Sequence, residues 1–394
     1  MSIWEQKRRI LITCSRHVPP LTAAEVGKLG FPVAVESDLA VETEGTLVDT
    51  MTLNLHLRTG HRIFFFLDGF KARNAGELYG RMVGFPWERL IREDDYITVS
   101  STVDNETITD NRFVNVRAKD AIVDRIRKKC GRRPDSGPGR EKVVIHVYWK
   151  ADAVSVYLDT SGEPLAKRGY RKIPMHAPMQ ETLAAAVILS TEWDGTGPFV
   201  NPMCGSGTLA IEAALIKVGN APGLTRNNFG FMHVKGFDPE LWDDLLVDAC
   251  KKERPTTPGR IVATDINKKA VMSAAKNARA AGVAHMIAFD VCDFADTNIP
   301  EGNGVVVVNP EYGYRLGDLK ELEGVYRGIG DFFKQRCRGY LGYIFTGNLE
   351  LAKKVGLRTK RRLPFYNGEL PCRLLEYDLY EGSRKSKYRD PITD

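Results

Sequence analysis

The stretch VVVVNPEYGYRLGD, residues 305–318, ends an apolar run on an amide, a proline, a carboxylate and a ring. Asn309-Pro310 alone could be a turn closing a buried strand, which is a common event. Three further strand-like segments also end in glycine-rich or acidic residues: GPFVN runs into PMCGSGT, RIVATD ends at Asp265, and HMIAFD ends at Asp290. Gly205 and Gly207 remove Cβ atoms where backbone must pass close to a ligand, and the helix that follows offers unpaired N–H groups. No lysine follows the second glycine, so the turn is not a phosphate-cradling loop. A third glycine is missing too, and Asp265 lies far beyond the roughly 20 residues that a dinucleotide fingerprint allows. The Asp265 carboxylate could accept both hydroxyls of a ribose, or cap the helix that starts near Asn267. Asp290 could accept from an exocyclic adenine amine, or be an ordinary polar strand end. Together these positions describe a pocket for a nucleoside whose tail is not a phosphate.

The elements around them decide whether they can meet. From QETLAAAVILSTEW onward, strands alternate with helices: GPFVN, LAIEAALIKV, RIVATD, NKKAVMSAAKNARAAG, HMIAFD, GVVVVN, VYRGIGDFFKQRC and GYLGYIFTG, with a last strand RLLEYDLYEG. That alternation predicts a parallel, doubly wound sheet. Ligands of such sheets bind beyond the carboxyl ends of the strands. The expected site therefore gathers residues 201–208, Asp265, Asp290 and residues 309–313 at one edge. Before it, RRILITCSR, AVESDLAVETEG and HRIFFFLDGF read as strands around the helices LTAAEVGKLG and LVDTMTLNLHLR, an order that suggests a small ferredoxin-like α+β unit. YITVSSTV, the amphipathic helix VRAKDAIVDRIRKK, and a closing hairpin from KVVIHVYWK and AVSVYLDT follow. Residues 161–179 read as a linker, and residues 219–259 as a long insert whose Phe229, Phe231 and Trp242 are expected to pack.

Charge points to a partner. Net charge is +6, and residues 117–142 hold ten basic residues against four acidic ones. A basic helix followed by a basic loop can engage a phosphate backbone without reading sequence, although a solvated face reads equally well. At 394 residues, 43% hydrophobic and 27% charged, the chain is globular with two or three domains expected. No apolar run approaches the roughly 18–20 residues of a spanning helix, and MSIWEQKRRI carries charge where a signal peptide would be apolar. Seven scattered cysteines suggest reduced thiols in a cytoplasmic protein, and seven scattered histidines suggest no metal site.

The Gly-rich turn, strand-end acid and Asn-Pro-x-Tyr resemble class I S-adenosylmethionine-dependent methyltransferases acting on an exocyclic amine of a base. More closely, the chain is similar to the bacterial THUMP-domain 23S rRNA guanine-N2 methyltransferases, through SGEPLAKRGYR, APMQETLAAA, NPMCGSGTLAIEAA, NPEYGYRLGD, YIFTGN and LPFYNGELPCRL. The resemblance implies a Rossmann-like α/β methyltransferase domain (161–394), preceded by a ferredoxin-like part (1–45) and a THUMP RNA-binding domain (46–160). It implies S-adenosylmethionine contacts at Pro178, Glu181, Asn201, Met203, Gly205, Gly207, Thr208, Asp265 and Asp290. It also implies a target-base site at Asn309, Pro310, Glu311 and Tyr312, in which the Asn309 amide oxygen and the Pro310 carbonyl accept from the amine and Tyr312 stacks on the base. Family members usually carry a second proline where this chain has Glu311. That carboxylate reads either as a proton acceptor or as a solvent-facing substitution, and the second is the expectation. Arg117, Arg125, Lys128 and Lys129 are expected to touch RNA. Arg168 and Arg171 of RGYR are expected either to touch it or to bridge domains. The substrate implied is guanine N2 of 23S rRNA or its precursor particle, with tRNA guanine N2, adenine N6, or a non-catalytic RNA-binding assembly factor as alternatives. Some family members carry a second methyltransferase domain, for which residues up to Asp394 leave no room, so one modification is expected.

Overall fold

Short β-rich runs broken by amphipathic helices open the chain: β1 (Arg8–Thr13), α1 (Pro19–Lys28), β2 (Val35–Glu36), β3 (Ala40–Gly45), α2 (Leu47–His56) and β4 (Arg62–Lys71). The computed structural model describes residues 2–105, 108, 110–173, 179–254, 260–313 and 319–380. α3 (Ala75–Gly84), β5 (Tyr96–Asp104), α4 (Asn111–Cys130), β6 (Asp135–Ser136), β7 (Val143–Lys150) and β8 (Ala153–Asp159) follow. All eight strands form one sheet, ordered β2-β3-β1-β4-β8-β7-β5-β6. The segment AVESDLAVETEG, expected as one strand, is a hairpin. Both the Ser37 N–H and its hydroxyl donate to the Ala40 carbonyl and close a turn between β2 and β3. α4 begins earlier than the pattern suggested because Asp110 caps it, accepting from the Arg112 N–H, and it ends at Gly131 in the left-handed region.

The chain divides into two compact units, residues Met1–Gly169 with Asn220–Glu253, and residues Tyr170–Gly219 with Arg254–Asp394. The long insert therefore folds with the first unit. It carries α7 (Pro239–Lys251), and its Phe229, Phe231 and Trp242 are buried in that unit's core beside Leu55, Trp87 and Leu165. Close approach requires two glycines here: a Cβ at Gly223 would lie 2.7 Å from Leu55 Cα, and one at Gly230 would overlap the Asp159 carbonyl.

The second unit holds α5 (Glu181–Leu189), β9 (Phe199–Pro202), α6 (Thr208–Val218), β10 (Ile261–Asp265), α8 (Lys268–Ala280), β11 (Ile287–Val291), β12 (Val305–Val308), α9 (Leu319–Arg336), β13 (Leu341–Thr346), α10 (Leu349–Ala352), β14 (Arg361–Asn367) and β15 (Leu370–Asp378). Its sheet order is β11-β10-β9-β12-β13-β15-β14. β11 to β13 run parallel, and β15 and β14 are antiparallel additions. The four β12 valines are all buried, as expected of a parallel strand covered on both faces. The chain order crosses β9 to reach β12 on its other side, which is where a doubly wound sheet opens a crevice.

Candidate active site

β9 passes into the Gly-rich turn through three left-handed residues: Met203 (φ 58°), Gly205 (φ 56°) and Gly207 (φ 83°). For Met203 this conformation costs about 1–3 kcal/mol, so the surroundings must over-determine it. They do. The Cys204 N–H donates to the Thr264 carbonyl at 2.8 Å, and the Gly205 N–H to Asp265 Oδ2 at 2.9 Å. Asp265 Oδ1 accepts from the Asn267 N–H at 2.9 Å. Each carboxylate oxygen is thus fixed by one backbone N–H and keeps lone pairs that could accept ribose hydroxyls. At Gly207 a Cβ would sit 2.7 Å from Ala274 Cβ, so α6 is seated closely on α8, whereas Gly205 faces open space. Asn201 is buried, and its Nδ2 donates to the Val307 carbonyl at 2.8 Å, joining the ends of β9 and β12. Cys204 is no nucleophile: burial pushes its thiol far above the usual range.

Arg171 lies behind this turn. Its guanidinium donates to Glu181 Oε1 (2.9 Å), the Met179 carbonyl (2.9 Å), Thr208 Oγ1 (3.1 Å) and Ser206 Oγ (3.2 Å). Glu181 and Thr208, expected at the cofactor, are both held by it. Pro178 lies outside the described residues. Asp290 is the penultimate residue of β11, opposite Thr264 near the end of β10, and is exposed. Two residues that sequence reasoning missed sit next to the acids. Ile266 is 73% exposed, and Val291, paired with Asp265 across the strands, is also exposed. Large apolar side chains beside strand-end carboxylates could flank a flat ring; their signal was the apolar residue that directly follows each acid.

The loop after β12 is the other half. The Tyr312 hydroxyl donates to Asn309 Oδ1 at 2.8 Å and shares a side-chain hydrogen bond with the buried Cys372 thiol. The Tyr326 hydroxyl donates to the Glu311 carbonyl at 3.2 Å and bonds Thr346 at 2.8 Å. Asn348 Nδ2 donates to the Tyr312 carbonyl at 3.0 Å. Residues from α9, the end of β13 and β15 therefore set this short loop. Pro310 is buried while Glu311 is exposed.

Residues 168–376 match the family described as "RMKL-like, methyltransferase domain". The chain belongs to this family. Residues 9–64 match the RlmL ferredoxin-like domain and residues 72–159 the THUMP domain, so an RMKL-like methyltransferase unit follows a ferredoxin-like and THUMP region. A ribosomal RNA large subunit methyltransferase K/L of Syntrophotalea carbinolica is 35% identical over 383 residues, 95% of this chain and 54% of that protein. A Synechocystis protein named for RNA methylation, slr0064, is 33% identical over 95% of this chain and 97% of its own length. Among solved structures, SMU.472, named for methyl transfer and complexed with S-adenosylhomocysteine, has a TM-score of 0.86 and 28% identity over 96% of this chain and all of that one. The chain spans about half the length of the K/L relatives it matches.

In this RMKL-like chain the RNA-facing expectations separate. Lys128 and Lys129 are exposed on the last turn of α4. Arg117 lies over the Tyr79 ring at 4.8 Å, and Arg125 is paired with Glu88 at 2.8 Å. Arg168 is a correction. It is 1% exposed, its Nη2 donates to the Arg58 carbonyl at 2.7 Å, and a guanidinium without surface cannot meet a phosphate. Arg171 likewise has its donors turned toward the turn. Among the described residues no group of three acidic, histidine or cysteine side chains could hold a metal, and no helix is long and apolar enough to cross a membrane.

Proposed function

We propose that this chain transfers the methyl group of S-adenosylmethionine to the exocyclic N2 of a guanine in RNA, with 23S rRNA or its precursor particle as substrate in the cytoplasm. The observation that carries this is the loop after β12. An amide oxygen, Asn309 Oδ1, is held within hydrogen-bonding reach of an O–H donor at the carboxyl edge of the sheet, with a ring beside it. An exocyclic amine is a poor nucleophile because its lone pair is delocalised into the base. Acceptors at Asn309 Oδ1 and the Pro310 carbonyl would draw its two N–H groups into a geometry that frees the lone pair. Fixed dipoles of this kind are worth several kcal/mol where water is excluded. The N–C bond then forms as the S–C bond breaks. The sulfonium leaves as neutral S-adenosylhomocysteine, and the nitrogen sheds one proton to water.

In this reading Asp265 holds the ribose, Asp290 the adenine amine with Ile266 and Val291 flanking the ring, and residues 201–208 the remainder, with Glu181 held beside them by Arg171. Tyr312 stacks on a base brought out of its helix. The K/L names of the relatives support RNA of the large subunit, and the basic end of α4 supports a phosphate grip. As functional parts we take a ferredoxin-like region reaching about residue 64, a THUMP region over 72–159 and a methyltransferase region from residue 168, with residues 220–253 lent to the RNA-binding side.

Labelled S-adenosylmethionine incubated with unmodified 23S rRNA and with bulk tRNA, followed by nucleoside analysis, tests the proposal. N2-methylguanosine should appear in the rRNA. Asn309→Ala should lower the rate about a hundredfold or more while S-adenosylhomocysteine still binds. Label in tRNA alone would overturn the substrate, and N6-methyladenosine would overturn the base.

A further inference from the structure

Arg171 was expected either at RNA or as a bridge between domains, yet its guanidinium donates to Glu181, Met179, Thr208 and Ser206. We infer that Arg171 is a positioning residue that sets the shape of the cofactor turn, and that it tunes affinity for the cofactor rather than for RNA. The inference rests on the reading that residues 201–208 bind S-adenosylmethionine. One guanidinium joins three segments: the end of the 161–179 segment at Met179, the first residue of α5 at Glu181, and the turn at Ser206 and Thr208. Glu181 is buried, so its charge needs this partner, and the carboxylate side of the ion pair is largely desolvated. The residues beside Arg171 are tied down independently. The Tyr170 hydroxyl donates to Glu212 Oε1 of α6 at 2.8 Å. Asn277 of α8 accepts from the Lys172 and Ile173 N–H groups, while its Nδ2 donates to the Ser206 carbonyl at 3.2 Å. The strap Tyr170–Ile173 is thus clamped to α6 and α8, and the Arg171 side chain grips the turn from behind.

A rigid purpose follows from the strain. Met203 holds a left-handed conformation that costs free energy, and ligand contacts of this kind tolerate little displacement. The four bonds need a planar fork with spread donors, which lysine lacks. Lysine would keep the charge opposite Glu181 and lose the reach to Ser206 and Thr208.

The experiment uses the full chain, with S-adenosylhomocysteine and protein-free 23S rRNA as probes. Titration calorimetry of Arg171→Lys should show the S-adenosylhomocysteine Kd raised roughly tenfold to a hundredfold, the range expected for losing charge-assisted hydrogen bonds. The rRNA Kd and its salt dependence should stay at the wild-type values, and the unliganded melting temperature should be little changed because Glu181 remains paired. In turnover, KM for S-adenosylmethionine should rise while kcat at saturation and KM for RNA hold. Arg171→Met should weaken the cofactor further; if it does not fold, the lysine variant decides. An unchanged S-adenosylhomocysteine Kd in Arg171→Lys would overturn the inference, as would weakened RNA binding with cofactor binding intact. If the wild-type chain itself binds no S-adenosylhomocysteine, the cofactor reading falls first, and this inference with it.

Discussion

Tyr312 places its hydroxyl 2.8 Å from Asn309 Oδ1, the same oxygen the proposed reaction needs for an amine N–H. Ring and hydroxyl therefore have separable duties. A stacked base gains about 1–3 kcal/mol from an aromatic face, whereas the hydroxyl competes with the amine for one acceptor. Tyr312→Phe should keep kcat/KM on RNA within about threefold, and Tyr312→Ala should lose roughly tenfold to a hundredfold. Steady-state methylation of rRNA by the two variants checks this; equal losses would show that the hydroxyl, not the ring, carries the residue's role. Glu311 beside it is exposed, and its carbonyl accepts from Tyr326. That placement fits a substitution the loop tolerates, because the brace acts on backbone that any residue supplies. At this scale the sequence was legible where a turn or strand end demands a residue type: Gly205 is left-handed, the Asp265 carboxylate accepts from two backbone N–H groups, and Asn309 follows β12. It was not legible for Arg171, whose four partners lie at separations that no local pattern encodes.

Elements were readable in proportion to how strongly their period showed. The β12 valines and the α8 stripe of Ala270, Ala274 and Ala278 announce a buried strand and a one-faced helix. RRLPFYN did not announce β14, because a proline sits mid-run and the strand lies at the sheet edge, where proline is tolerated. α4 was recognised from Val116 onward by Ala121, Ile122, Val123 and Ile126, all buried, but residues 111–115 were not, and the start of the helix exposes Phe113 and Val116. The helix consequently offers apolar surface near its start and exposed cations at Lys128 and Lys129 near its end. Phosphate contacts release counterions, so each lysine lost should flatten the salt dependence by about one unit of slope. Lys128→Ala with Lys129→Ala should thus weaken rRNA binding, reduce the slope of log K against log salt by about 1.8, and leave S-adenosylhomocysteine binding unchanged. Filter binding across a salt series measures it; an unaltered slope would place the RNA elsewhere on this unit. Arg125→Ala is a poor substitute test, since Glu88 would lose its partner inside the same unit.

For the whole molecule, the division into units follows burial rather than chain order. Residues 220–253 leave the methyltransferase part and return to the first unit because Phe229, Phe231 and Trp242 find their core there. That unit also gathers the histidines most altered by folding. His61 is held down to about 4, first by burial and then by Arg62, and His146 to about 4, first by burial and then by Arg140 and Arg62. His146 stacks on Phe64 with 4.8 Å between ring centroids and bonds the Ser100 hydroxyl at 3.0 Å, contacts that suit a neutral ring. An unfolded histidine titrates near 6.5. Between that value and about 4, the unfolded chain binds protons that the folded unit refuses, so unfolding becomes easier as pH falls. The stabilisation is complete above pH 6.5 and is lost on the way down to about 4, at up to about 3 kcal/mol for each ring over the full window. Four of the five tryptophans, Trp4, Trp87, Trp149 and Trp242, belong to this unit, so indole fluorescence reports on it. The urea midpoint followed by fluorescence should therefore hold near pH 7.5 and drop as the pH falls below about 6.5 toward pH 5. His61→Gln should shrink that drop even if it lowers the midpoint at pH 7.5, because the glutamine cannot take up the proton. A midpoint flat across this range, or ring protons of His61 and His146 titrating near 6.5 in the folded chain, would mean that both imidazoles stay open to water.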